Sequence, residues 1–167
     1  MNIHIFKPHC IFIFLSIILF SIGCKSYTSP NKDELRARLN TAIEEDRYIF
    51  SAQSATPMSY KLINLSYGYY LKVSKDTIKA YLPYYGRSHS APIDPNNIGI
   101  TFTSTDFEYQ KETLRDSWKV NIKIKDNPER SQLYLSISNS GYADLQVSET
   151  TRQSISYRGT IDVKNNQ

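Results

Sequence analysis

Trp118-Lys119-Val120-Asn121-Ile122-Lys123-Ile124 decides the fold class. Large apolar residues occupy every second position and Lys, Asn and Lys fill the gaps. A period of two places one set of side chains on each face of a strand, so this segment is extended, with one buried and one wet face. Asp126-Asn127-Pro128 breaks it. Leu133, Leu135 and Ile137 resume the alternation, Asn139-Ser140-Gly141 reads as a turn, and Ala143, Leu145 and Val147 continue. Three short amphipathic strands joined by tight turns predict antiparallel sheet over a single core.

The pattern extends in both directions. Downstream, Ile155, Tyr157, Ile161 and Val163 form a last strand, in which Gly159 signals a bulge or a close backbone approach. Upstream, Phe107 and Tyr109 suggest one strand, and Ile98, Ile100 and Phe102 another. Ile78, Ala80 and Leu82 make a further strand, reached from Tyr67, Tyr69, Leu71 and Val73 through a Ser74-Lys75-Asp76 turn. Tyr48, Phe50 and Ala52 begin the series. Before them the period changes to that of a helix. Leu35, Leu39, Ala42 and Ile43 form one apolar stripe over residues 33–46, with Ser29 or Asn31 as cap and Asp33 and Glu34 at the positive end of the dipole. Glu44, Glu45 and Asp46 at its far end oppose the dipole. The expectation is an all-β domain with one N-terminal helix, an antiparallel barrel of about eight strands; a two-sheet β-sandwich is the alternative.

The first residues follow a different logic. Ile11 to Gly23 is an apolar run of thirteen residues preceded by Lys7 and no acid. It is too short for a membrane-spanning helix, which needs about 20 residues, and fits the apolar core of a secretory signal. Ile22-Gly23-Cys24 resembles a bacterial lipobox, in which the cysteine sulfur receives a diacylglyceryl group and the chain is cut before it. Ser21 departs from the leucine that pattern prefers. The resemblance implies a signal peptide at 1–23, acylation at Cys24 with palmitate-type chains, a tether at 24–32 and one domain at 33–167. Two or three acyl chains on one residue anchor a protein firmly, where a single chain binds marginally.

Loss of residues 1–23 removes Lys7, His4, His9 and Cys10. Of 20 basic residues 19 remain against 16 acids, a net charge of about +3. That is too mild and too evenly spread for a nucleic-acid partner. Cys24 is then the one cysteine, so no internal disulfide forms. His89 is then the one histidine, which argues against a histidine-based zinc site or a Ser-His-Asp triad. The acids lack calcium-loop spacing, and no glycine-rich phosphate loop is present. No metal or cofactor is expected.

The longest connection, residues 83–97, contains Pro83, Pro92, Pro95 and Gly86, which exclude a central strand. Its opening, Leu82-Pro83-Tyr84-Tyr85-Gly86-Arg87, holds the best candidate ligand-binding residues. Tyr84 and Tyr85 offer flat faces with polar tips, and Arg87 a planar donor fork. The competing account is that the tyrosines close the barrel. A carboxylate hydrolase needs two acids facing across a cleft.

That same segment resembles the domain of unknown function 4251 family of bacterial envelope lipoproteins. Gly99-Ile100-Thr101-Phe102, Asn139-Ser140-Gly141-Tyr142-Ala143 and Arg152-Gln153-Ser154-Ile155-Ser156-Tyr157-Arg158-Gly159 fit the pattern in order, over roughly residues 45 to 163. The resemblance implies an exported, often lipid-anchored, mostly β protein with a lipocalin-like barrel, and it brings no activity or catalytic residue. The residues after Cys24 lack an acidic run, which favours the periplasmic face of the outer membrane. The functional expectation is a non-catalytic binding module. Its partners would be the membrane, through Cys24, and a small apolar or glycan ligand or an envelope protein. The alternative is a carboxylate-based hydrolase acting on glycans or cell-wall material.

Overall fold

The computed structural model describes residues 32–58, 61–89 and 99–163. Cys24, the signal segment and most of the 83–97 connection lie outside them. Helix α1 spans Lys32–Glu44. The strands are β1 (Tyr48–Pro57), β2 (Ile63–Asn64), β3 (Tyr70–Ser74), β4 (Thr77–Leu82), β5 (Ile100–Ser104), β6 (Phe107–Thr113), β7 (Ser117–Ile124), β8 (Gln132–Ser138), β9 (Tyr142–Ser148) and β10 (Ile155–Asp162). Among the described residues, nine strands form one antiparallel sheet in the order β5-β4-β3-β1-β10-β9-β8-β7-β6, and β2 adds to β1. This sheet is a nearly closed barrel, with nine strands where about eight were expected.

The alternation read in the sequence is the alternation of burial. In β7, Trp118, Val120, Ile122 and Ile124 are buried between exposed lysines. β8, β9 and β10 repeat the pattern, and their inward rows meet Phe50, Leu71 and Ile78 from the other half of the sheet in one apolar cluster. Leu39 and Ile43 of α1 join it with no exposed surface. The barrel interior is therefore packed with hydrophobic side chains.

Two local features differ from the pattern. The expected strand at 67–73 starts only at Tyr70, because Gly68 takes φ +105 and turns the chain. Tyr67 is consequently fully exposed. In β1 the register with β10 shifts between Ala52 and Ser54. This bulge divides the strand's second neighbour, with β3 pairing before it and β2 after it.

The acidic helix end resolves into a cap. The Arg47 amide donates to the Ala42 carbonyl at 2.8 Å and the Asp46 amide to Ile43 at 3.2 Å, with Asp46 at φ 52. This is a Schellman closure with Asp in the position usually held by glycine. The missing cation comes from β6, where the Lys111 ammonium donates to the Ile43 and Glu44 carbonyls and to the Asp46 carboxylate. Burial pulls the Lys111 pKa down, but Asp46 and Glu44 outweigh it and hold it above its ordinary value. The acids thus neutralise Lys111, and Lys111 satisfies the helix dipole.

Another part of the barrel rim is closed by the segment after β4. The Tyr84 hydroxyl lies 2.9 Å from the Arg87 carbonyl and 3.0 Å from that of Gln153. The Arg152 guanidinium sits 4.8 Å over the Tyr84 ring, donates to Glu149 at 2.6 Å and reaches the Gly99 carbonyl at 3.0 Å. Backbone bonds from His89 to Thr151 and from Gln153 to Arg87 knit the start of the long connection to the β9–β10 loop. The Tyr157 hydroxyl donates to the Pro83 carbonyl at 2.7 Å.

Gly159 is a close approach within the sheet: a Cβ there would stand 1.9 Å from the Ser51 carbonyl oxygen. Gly159→Ala should therefore cost about 3 kcal/mol or more, lowering Tm by roughly 10 °C in a thermal melt. Tyr84→Ala removes a cation–π contact and a hydrogen bond and should cost about 2–3 kcal/mol. Tyr85→Ala and Arg87→Ala should stay within about 0.5 kcal/mol of the parent; equal effects at all three would contradict the latch.

Candidate functional site

A large concavity lies on the outside of the barrel. A twisted sheet is saddle-shaped, so its outer surface can be hollow along one diagonal. Here an open groove of about 940 Å³ crosses β6 to β10 and reaches Thr56 and Leu62. The strand register orders its floor in two rows. Gln110, Asn121, Tyr134, Gln146 and Ser156 follow one another on adjacent strands, and Thr56 stands opposite Ser156. One step along lie Glu112, Lys119, Ser136, Asp144 and Arg158.

The first row has the chemistry of a recognition surface. Tyr134 is 44% exposed in the middle of the groove, and its hydroxyl donates to Gln132, two residues away on the same strand and face. That bond lays the ring along β8. Asn121 and Gln146 stand directly across from it on the flanking strands, each with an amide donor and an acceptor. Leu62, 52% exposed, adds an apolar wall. The second row alternates in sign. Arg158 pairs with Asp144 at 3.0 Å, and both side chains are well exposed, so the pair orders the surface and stabilises it little. Glu112 and Asp144 lie three strands apart, about 14 Å at the usual strand spacing.

The residues singled out from sequence are placed as follows. Tyr84 is committed to the rim closure, and burial raises its pKa above the ordinary phenol value. Tyr85 is 39% exposed and Arg87 is exposed, both beside the latch and away from the groove floor. His89 is exposed, with its backbone amide bound to Thr151. Cys24 lies outside the described residues. Among the described residues no cluster of His, Cys, Asp and Glu is arranged to hold a metal ion. The groove escaped sequence reading because its floor comes from five strands. The one local signal was Tyr134, a large aromatic on the polar side of an alternating strand.

A crystal structure of a DUF4251 family protein from Bacteroides eggerthii DSM 20697, solved at 1.95 Å, matches this barrel with a TM-score of 0.60. The two chains share 12% sequence identity, and the match covers 76% of this chain and 86% of that one, so the likeness is one of fold. No curated protein matches the sequence. The family model for the domain of unknown function DUF4251 matches residues 31–161, nearly the whole described barrel and its helix. The chain therefore belongs to the DUF4251 family.

Proposed function

We propose that this protein is a non-catalytic binding module of the bacterial cell envelope, which takes a glycan strand in the groove on the outer face of β6–β10. The observation that carries this reading is the contrast between inside and outside. Apolar side chains pack the barrel interior, whereas the outer groove is open and mixes apolar surface with amide, hydroxyl and charged side chains around a central exposed tyrosine. Sugar rings present an apolar C–H face and a rim of hydroxyls. A tyrosine ring flanked by planar amides matches both. Tyr85 and Arg87, exposed near the rim, are available to the same class of ligand, as the sequence suggests. Delivery rests on the N-terminal pattern: export, acylation at Cys24, and residence on the periplasmic face of the outer membrane.

A carboxylate hydrolase gains less support. The two groove acids in one row, Glu112 and Asp144, stand about 14 Å apart, beyond the roughly 5–9.5 Å that glycosidase pairs span. Asp144 is also engaged by Arg158.

Two measurements test the proposal. Titration of residues 31–167 with β-1,4-linked N-acetylglucosamine oligomers and with muropeptides should move the amide resonances of β7, β8 and β9. Tyr134→Ala should weaken binding about tenfold at unchanged Tm; absence of any response to both probes would sink the glycan reading. Separately, Cys24→Ser in the full chain should move the protein from the membrane to the soluble fraction, and retention in the membrane would refute the anchor.

A further inference from the structure

Four side chains on the outer face of β3 and β4 form a square that the register dictates. Tyr70 stands opposite Tyr81, and Lys72 stands opposite Lys79. On each strand the tyrosine and the lysine are two residues apart and so share the outward face. The aromatic side is continuous: Tyr70 and Tyr81 have ring centroids 6.2 Å apart, and Tyr69 stacks on Tyr81 at 5.6 Å and 24°. Tyr81 is 48% exposed. Tyr69, Tyr70, Lys72 and Lys79 line a shallow hollow of about 350 Å³ with Ser51 and Asp162.

The charge arrangement breaks a rule of sheet construction. Like charges placed directly opposite on an antiparallel pair repel, and an uncharged or acidic residue at either position would relieve it. Asp162 lies in the hollow, but its carboxylate accepts the Ser51 hydroxyl, and among the described residues no acid forms an ion pair with Lys72 or Lys79. Such local violations are expected at functional or strained places, and here a bound anion would supply the missing compensation. Two ammonium groups side by side suit a compact anion, since lysine acts as a point charge with rotatable donors. The tyrosine faces two positions further along the strands suit a ring attached to that anion.

We propose that this square binds an anionic sugar, with its phosphate or carboxylate between Lys72 and Lys79 and its ring against Tyr70 and Tyr81. The site is separate from the β6–β10 groove and stands or falls without it. The sugar can be a free one or the headgroup of a phosphorylated glycolipid, and the two sources share this chemistry.

The test uses residues 31–167, the barrel with its helix, titrated at constant ionic strength with glucose 6-phosphate, glucose and inorganic phosphate. Glucose 6-phosphate should shift the amides of residues 70–72 and 79–81 and bind at least about tenfold more tightly than either fragment alone. It should also raise the Tm of the parent. Lys79→Glu should abolish both responses and, by turning repulsion into attraction, raise the Tm of the ligand-free protein. Tyr81→Ser should keep the response to phosphate and lose the preference for the sugar phosphate. No shift at these amides at millimolar glucose 6-phosphate, an equal response to plain glucose, or unchanged binding by Lys79→Glu would each overturn the proposal. Sedimentation with phosphatidylcholine vesicles containing lipid A, competed by glucose 6-phosphate and lost in Lys79→Glu, would support the site with a lipid headgroup as the source. Binding of the free sugar phosphate without sedimentation would support it with a soluble source.

Discussion

The pairing of β1 with β10 is the contact on which the rest of the barrel depends. It joins the first strand of the domain to the last. On one side of it lie β3, β4 and β5; on the other lie β9, β8, β7 and β6. Each group is a meander that pairs locally, and neither has a second face to cover its apolar side. The β1–β10 ladder runs from Ile49 opposite Asp162 to Pro57 opposite Ile155 and makes the two groups one curved sheet. Gly159 packs tightly against the Ser51 carbonyl, beside the bulge at Ala52/Ser54. A bulge sharpens local twist, and a residue without a side chain lets the two backbones meet there. Closure is therefore a long-range event between the first and last strands, and it carries the entropy cost of closing the intervening loop.

Closure explains where function can reside. Lys111 ties the helix end to β6, and the Tyr84–Arg152–Glu149 group ties the 83–89 segment to the β9–β10 loop. Ser131 donates to Glu149, so the buried ion pair is also hydrogen-bonded, as a buried pair must be to persist. With apolar packing inside and these ties at the rim, the proposed recognition chemistry falls on the outer face. The β6–β10 groove and the β3–β4 hollow are built from cross-strand rows. Such rows fix side-chain spacing at the pitch of the sheet, which is a rigid ruler for a repeating or ring-shaped ligand.

Much of this was legible in the chain, and the failures have physical causes. Strands β7, β8 and β9 were readable because each has one wet face, and the turns between them carry Asp-Asn-Pro and Asn-Ser-Gly. Gly159 was readable as a bulge or a close approach, because a glycine breaks the large-residue pattern there, and the structure shows the close approach. The start of β3 was misplaced because Tyr67 and Tyr69 continue the alternation, while Gly68 turns the chain and leaves Tyr67 in solvent. The acidic helix end looked unfavourable because its counter-charge, Lys111, lies 65 residues beyond Asp46 in the chain. Tyr84 was read as a candidate ligand-binding residue, with barrel closure as the competing account; the choice was not legible because its partners Arg152 and Gln153 come from a loop far along the chain.

By itself the sequence determined which face of most strands is apolar, where the turns around β8 fall, and that one helix precedes the strands. These follow from local periodicity and turn chemistry, which operate over a few residues. Which strands become neighbours was decided only by tertiary structure. That choice set Tyr134 between Asn121 and Gln146, and Lys72 against Lys79. The reason is that cross-strand neighbours are fixed by sheet order and register, and a single strand's alternation is the same whichever neighbour it takes.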